Sequence, residues 1–468
     1  MTSPLASNPK CLAAANLGLA DTDQPLIVSG QCDVAGSQLV DTVVRKNGNI
    51  RIGGDLRATL TLEPGSFATI EGSIHGRVVN KGGKVTVKNN SLAGLAVSDG
   101  PSEQEVGAAL YVNLSAIAEN LRRLTSSTTA ECAAVVKSDA YGCGADTVVA
   151  ALAKCRCNTF FVKNLAEARQ VRTVAQDVTI YVLDGFYPGS AKTFAEIGAR
   201  PVIGSMVEIA EWDMFVKSTG WTGGFAVSID TGNSRRGMPA KEASSLASRA
   251  DSLGRGMSLI ISSLDRPHDA NNVSNLKKQM ELIRDLRTLF RGIPFCIANS
   301  AGMFLGREYH FDMVRPGSAL YGINPTPGRE NPMRTVVELR ARVRQLFDIA
   351  RGEFVADVEG WSAARPSRIA VLSIGYLDGL PRVLNCSNSR LKAFVAGAPC
   401  PVVGAVSMDK IAVDVTDLSV RKNVRIGDVI SLLGSENDSE SAADPGQAAA
   451  KHVLSNLGLR FGRRYIID

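Results

Sequence analysis

Histidine is scarce in this chain, with four in 468 residues: His75, His268, His310 and His452. None is closely paired with another, which argues against a histidine-based metal site, and no metal is expected. The nine cysteines are odd in number and follow no framework spacing. Cys155-Arg156-Cys157 lacks the two-residue gap of a zinc knuckle or redox pair. Free thiols in a reducing compartment fit this pattern, so a cytoplasmic location is expected. No run of 18 apolar residues is present, so no membrane span is expected. Long basic runs are also missing. The formal charge of +6 comes from scattered positives such as Arg122-Arg123, Arg235-Arg236 and Arg463-Arg464, a solvated surface rather than a nucleic-acid footprint. The N-terminus carries Leu12-Ala13-Ala14-Ala15 without a basic start or a long apolar core, and residues 1–22 read as a disordered leader rather than a signal peptide.

What is there is the balance of a globular protein, 45% hydrophobic and 21% charged, in a chain long enough for two or three domains. Over residues 23–97 short apolar clusters recur every 8–10 residues: Ile50 and Ile52, Leu60 and Leu62, Ile70, Val78 and Val79, Val85 and Val87. Gly53-Gly54, Pro64-Gly65 and Gly82-Gly83 supply turns between them. This predicts a small all-β module, a sandwich or a solenoid. Its coils resemble the bactofilin type of β-helix, without a specific motif. Such a module has no catalytic residues of its own, with His75 read as a surface residue, but could mediate assembly. Ser98–Glu105 reads as a linker, covering 98–106.

From 107 to 340 short β-rich runs alternate with amphipathic stretches. The expected strands are Leu110–Asn113, Ala133–Lys137, Thr159–Val162, Thr179–Leu183, Arg200–Val202, Phe225–Ile229, Met257–Ser262, Phe295–Ala298 and Met313–Arg315. Ser115–Leu124, Leu165–Ala175 and Val273–Phe290 read as helices between them. Repeated βα units of this number predict an α/β fold, a (β/α)8 TIM-like barrel. From 341 to 468 strand signals dominate, at Arg368–Ile374, Arg390–Val395, Cys400–Val403 and Ile411–Val415, with a turn at Gly427-Asp428. They predict a C-terminal β-barrel-like domain ending in a helix near Gly446–Leu457.

The polar residues of interest fall where strands end, at Lys137, Asp230 and Arg315, the catalytic rim of such a barrel. An apolar run, Ala133-Ala134-Val135-Val136, stops at Lys137 and is followed by Ser138-Asp139-Ala140-Tyr141-Gly142. A strand that delivers one amine to its C-terminal end lowers the amine's pKa by desolvation and makes it nucleophilic.

Seven motifs stand in collinear order. Besides the lysine motif they are Asp230-Thr231-Gly232-Asn233-Ser234-Arg235-Arg236-Gly237, Ala298-Asn299-Ser300-Ala301-Gly302, Met313-Val314-Arg315-Pro316-Gly317, Leu320-Tyr321-Gly322, Ile374-Gly375-Tyr376-Leu377-Asp378-Gly379 and Val406-Ser407-Met408-Asp409. Together they resemble the alanine racemase family of pyridoxal-phosphate enzymes over about 107–468. The resemblance implies pyridoxal 5'-phosphate as cofactor and a small amino acid as substrate. Lys137 matches the Schiff-base lysine, and also serves one face of the substrate carbon. Tyr376 matches the second base, which in the family comes from the other subunit of a homodimer. Tyr141, Ser300 and the backbone N–H groups of Gly317 and Ser318 match the phosphate cradle. Arg315 matches the arginine facing the pyridine nitrogen. A guanidinium does not give up its proton, so that nitrogen stays unprotonated and simple proton return is favoured. Arg235 matches the residue near the cofactor phenol oxygen and substrate carboxylate; Arg236 beside it reads as surface charge. Met408 matches a residue lining the substrate pocket.

Four positions depart from the family pattern. Ser228 stands where many members have a carbamylated lysine that braces the arginine matched by Arg235. Ser263 replaces a histidine that supports Arg315, which implies a looser or differently paired arginine. Cys143 replaces the histidine of the usual Tyr-Gly-His-Gly, and Lys451 falls where a phosphate-binding tyrosine is expected. The expected activity is racemisation of alanine. Serine, lysine or broad specificity is the alternative within the fold, and a degenerate cofactor-binding scaffold the alternative outside it.

Overall fold

The computed structural model describes residues 25–467 apart from 36–37, 39, 55, 57, 72–76, 81–83, 88–96, 100–102, 250–255, 268, 356–360, 381–391, 419–422 and 435–461. The expected leader, His75, His268, His452, Lys451 and the expected C-terminal helix therefore lie wholly or nearly wholly outside the described residues. Two compact units are present, one built on Ala116–Val336, the other on the chain through Ser115, Val337–Glu436 and the C-terminal strand.

The N-terminal strands form a parallel solenoid. β1 (Leu26–Val28), β3 (Thr42–Val44), β5 (Thr59–Leu62), β7 (Arg77–Asn80) and β9 (Val97–Asp99) stack in one sheet. β2 (Gln31–Val34), β4 (Asn49–Ile52), β6 (Phe67–Ile70) and β8 (Lys84–Val87) stack in a second. Thr42, Leu60 and Val78 fall in one column, so a coil spans 18 residues. The sequence recurrence at 8–10 residues is half a coil, because consecutive strands alternate between sheets. Alternation along each strand turns Ile50 and Ile52 inward and Asn49 and Arg51 outward. The inward residues, with Val44, Leu60, Leu62 and Ile70, share one dry core. Ser98 and Asp99, at the start of the expected linker, pair within β9, and Glu103–Val106 is a short helix before β10 (Ala108–Asn113).

The second unit is the expected barrel. Its strands are β11 (Glu131–Cys132), β12 (Ala134–Val135), β13 (Thr159–Val162), β14 (Thr179–Val182), β15 (Arg200–Ile203), β16 (Phe225–Asp230), β18 (Met257–Ile261), β19 (Phe295–Cys296) and β20 (Met313–Val314), with the short β17 (Met238–Pro239) beside β16. The hydrogen-bonded order begins at β11 and ends at β12. Those two are one strand interrupted at Ala133, so eight parallel strands close on themselves: Ala133 N–H donates to Val314 O on one side and Val136 N–H to Phe161 O on the other. Helices Leu114–Ser126, Leu165–Val174 and Val273–Leu289 occupy the expected amphipathic stretches. Inward-facing Val135, Phe161, Tyr181, Val202, Leu259 and Met313 fill the interior.

Leu110–Asn113 does not join this barrel. β10 runs antiparallel to β21 (Val337–Ile349) and parallel to β27 (Arg463–Ile466) in the other unit. The thirteen residues of β21 were not anticipated as a strand; its alternation straddles the end of the βα pattern. β22 (Ser367–Leu372), β25 (Ile411–Asp414), β24 (Ala398–Val403), β23 (Lys392–Val395) and β26 (Val429–Leu433) follow β21 in space, and β26 returns to pair with it, closing an antiparallel barrel. β27 also pairs with β9, so the solenoid sheet and this barrel are continuous through β9, β27 and β10.

Candidate active site

Residues two positions beyond the inward-facing layer emerge at the barrel mouth. From Val135, Phe161, Ala226, Ile261 and Met313 this alternation leads to Lys137, Lys163, Ser228, Ser263 and Arg315, and all five line one cavity of about 630 Å³. The cavity also takes in Tyr141, Ser300, Gly317, Ser318 and Arg235. Seven of the nine sequence-selected site residues thus belong to the barrel unit, and all but Tyr376 and Met408 share this cavity.

Lys137 sits at the end of β12 and is half-buried. Ser138, Asp139, Ala140 and Tyr141 after it all hold φ between +54° and +57°, a left-handed turn of non-glycine residues. Each such residue costs about 1–2 kcal/mol, so the turn must be held from outside. Glu167 Oε1 accepts the Ser138 N–H at 2.8 Å, and Asp139 Oδ1 accepts the Ala145 N–H at 2.7 Å. Glu167 also accepts the Lys163 N–H through Oε2 at 2.6 Å, so one carboxylate ties together the ends of β12 and β13. Asn164 caps the helix that carries Glu167.

The turn delivers Tyr141 into the cavity. Its ring stacks on Tyr321 at 4.6 Å, and Tyr321 donates its hydroxyl to Val135 O at 3.1 Å. Burial pushes the Tyr141 phenol up to about 12, against the opposing charge of Arg315, so it stays a neutral donor. A Cβ at Gly317 would collide with the Tyr141 hydroxyl, so only glycine leaves this space open. Ser300 Oγ accepts the N–H groups of Gly317 at 3.0 Å and Ala319 at 3.1 Å, which fixes the turn into the 3-10 helix Ser318–Tyr321.

Arg315 is buried. Its Nη2 donates to Ser262 O and, at 2.7 Å, to Ser263 Oγ. The serine at the departed histidine position thus holds the guanidinium directly. Arg315 Nε, by contrast, is buried without a hydrogen-bond partner. A buried guanidinium N–H left over in a cavity fits a ligand that brings an acceptor, as an unprotonated pyridine nitrogen does. Cys296 also touches this arginine, and burial pushes its thiol up to about 12.

Asp230 Oδ1 accepts the N–H groups of Gly232, Asn233 and Ser234, shaping the loop that presents Arg235. Arg235 is exposed at the cavity without an ion pair among the described residues, whereas Arg236 is more than surface charge: it donates to Leu183 O at 2.8 Å and pairs with Glu208. Ser228 lines the cavity, and Cys143 is buried. Tyr376 and Met408 lie in the other unit. Tyr376 N–H donates to Ser407 O at 3.0 Å and Leu377 N–H to Met408 O at 3.1 Å, so the two motifs form one ledge, with Met408 51% exposed. Lys163 and Glu167 were missed from sequence; the inward alternation running on from Phe161 is the signal that finds Lys163.

A closed parallel barrel with a lysine at its mouth, a glycine-lined donor cradle and a buried arginine, followed by an antiparallel β domain, defines the class of barrel-type pyridoxal-phosphate enzymes. The alanine racemase N-terminal domain model matches residues 112–325, and the C-terminal domain model matches 336–465. The chain is 42% identical to an alanine racemase of Methylobacterium nodulans over 361 residues, which is 77% of this chain and 96% of that one. A catabolic alanine racemase of Mesorhizobium japonicum is 37% identical over 81% of this chain and 98% of its own. Among solved structures, alanine racemase from Bartonella henselae with covalently bound pyridoxal phosphate aligns with a TM-score of 0.71 at 33% identity, covering 77% of this chain and 99% of that one. The chain belongs to the alanine racemase family. The solenoid lies outside the matched residues.

Proposed function

We propose that this chain interconverts L- and D-alanine with pyridoxal 5'-phosphate, using Lys137 and Tyr376 as bases on opposite faces of the substrate carbon. The observation that carries the reading is Lys137 at a barrel mouth beside the buried, partly unpartnered Arg315. When bound, the cofactor supplies an electron sink for the substrate carbon. Lys137 would hold it covalently; the Tyr141 and Ser300 hydroxyls, with the backbone at Gly317 and Ser318, would take its phosphate. Arg315, with its unpartnered Nε, would face the ring nitrogen and keep it unprotonated, since a guanidinium gives up no proton. That limits the sink and favours return of the proton over other outcomes.

Arg235 orients the substrate carboxylate, and Met408 borders the substrate. Lys137 Nζ takes or returns the proton on one face; Tyr376 Oη does so on the other. The reading includes, as the family resemblance implies, a homodimer in which each site borrows the tyrosine of the partner subunit. Free thiols at all seven described cysteines support a reducing, cytoplasmic setting. No helix among the described residues is long and apolar enough to cross a membrane.

The test is incubation of purified protein with L-alanine and a panel of other L-amino acids, following formation of the D-forms. D-alanine as the main product supports the reading; another D-amino acid as the main product overturns the substrate, and no product overturns the activity. Lys137→Ala is expected to lose the visible absorbance of the bound cofactor; unchanged absorbance would remove Lys137 from its role.

A further inference from the structure

Lys163 is a second lysine at the mouth of the barrel. Phe160 and Phe161 pair with Ala134 and Val135 in parallel register. Continued two residues, that register sets position 163 opposite 137. Inward alternation gives both side chains the same side, and both line the cavity. Neighbouring strands lie about 4.8 Å apart. Glu167 pins the two strand ends together through the N–H groups of Ser138 and Lys163. No carboxylate forms an ion pair with the Lys163 ammonium among the described residues.

We propose that Lys163 is a positioning residue that lowers the proton affinity of Lys137 through like-charge repulsion, which favours the nucleophilic free amine. This rests on the assignment of Lys137 as the cofactor lysine. Two ammonium groups on adjacent strand ends cannot both hold their protons without cost. Lys163 is exposed and strongly hydrated, whereas Lys137 is half-buried, so the repulsion weighs more on the Lys137 ammonium.

Charged groups of both signs surround Lys137, with Asp139 in its own turn, Asp230 and Asp184 in the cavity wall and Glu167 beside it. Asp230 spends an oxygen on three backbone N–H groups, and Arg236 is matched by Glu208. Glu167 lies beside both lysines and is committed to their shared backbone. Arg235 and Arg315 add positive charge from β16 and β20, while Tyr141 stays neutral. Asp184, after β14, is a further carboxylate of the cavity wall.

The test is competitive trace acetylation of the full-length, cofactor-free protein across pH, with reactivity at Lys137 read by peptide mass spectrometry. Lys163→Met and Lys163→Gln are expected to move the Lys137 reactivity midpoint up by about half to one pH unit. Lys163→Arg keeps the charge and is expected to restore the original midpoint. The same shift is expected in the pH dependence of cofactor uptake. An unchanged midpoint in the Met and Gln variants overturns the proposal, as does an Arg variant that behaves like them. This readout needs neither cofactor nor turnover, so it fails separately from the assignment of Lys137, which the absorbance of Lys137→Ala decides.

Discussion

Arg315 donates from Nη2 to the hydroxyl of Ser263 at 2.7 Å, and this single contact stands where the family places a histidine. A hydroxyl can rotate its proton away and accept; it does for a guanidinium what a neutral ring nitrogen does, in less space. The bond is charge-assisted and partly buried, so removing its acceptor costs about 1–3 kcal/mol. Ser263→Ala is expected to weaken cofactor binding roughly tenfold, read by titrating the apoprotein and following visible absorbance. Unchanged affinity would show that the Ser262 carbonyl alone fixes the guanidinium.

Gly317 and Tyr141 share one small space. Gly317→Ala places a methyl group against the Tyr141 hydroxyl and within 3.1 Å of the ring carbon that bears it. Tyr141 is wedged on its other side by the stack with Tyr321, so it has little room to retreat. We expect at least a tenfold loss of cofactor affinity with the fold intact. Tyr141→Phe removes the clashing oxygen, so the double variant is expected to lose less than the sum of the two single losses, a coupling that a double-mutant cycle measures.

Buried thiols and phenols set an alkaline limit on stability. Burial pushes Cys132 up to about 11 and Cys157 and Cys296 up to about 12, from an ordinary 9.0. It also pushes Tyr141 up to about 12 from 10.0. In each case the folded state keeps a proton that the unfolded state releases first. The sign is therefore fixed: stability is fully present below the unfolded values, near pH 9 for the thiols, and falls as pH rises toward the folded ones. Tm is expected to drop steadily from about pH 9 to pH 11. Cys157→Ala should flatten that decline relative to the native chain, at some cost at neutral pH from lost packing.

The barrel, the β domain that follows it and most of the residues gathered in the cavity could be read from sequence because they follow local rules. Apolar runs mark strands, and the motif residues fall at their ends. The course of the chain between motifs followed different physics. Nothing in Ser138-Asp139-Ala140-Tyr141 announces four left-handed residues; they are braced by Glu167, 29 residues further on, which accepts the Ser138 N–H, and by Asp139, which accepts the Ala145 N–H. Likewise β10 reads as the first strand of a βα series, yet its partners are β21 and β27, more than two hundred and three hundred residues away. Periodicity identifies a strand without naming its neighbour.

That neighbour matters for the N-terminal module. β27 lies between β10 and β9, so it is an interior strand only while the solenoid is present. Removing residues 1–99 leaves one side of Arg463–Ile466 unpaired, an exposed edge next to the buried Tyr465. Losing two or three ladder hydrogen bonds costs about 1–3 kcal/mol. The truncated chain is expected to melt several degrees lower and to self-associate, seen by calorimetry and light scattering. Equal melting and a single unchanged size would show that the solenoid contributes nothing to the C-terminal barrel.

The proposed shared-site dimer can be tested by mixing two variants, each lacking one base. Lys137→Ala and Tyr376→Phe are each expected to lower racemisation by several orders of magnitude, and Tyr376→Phe to leave the cofactor bound. If each site takes its lysine from one subunit and its tyrosine from the partner, a mixed dimer of the two variants has one doubly defective site and one intact site. Random exchange makes half the dimers mixed, so activity should return to roughly a quarter of the native level. If instead both bases come from one chain, every site in every dimer carries one lesion, and mixing restores nothing. The rate after subunit exchange therefore decides between the two arrangements, while size-exclusion chromatography of each variant alone checks that both still form dimers.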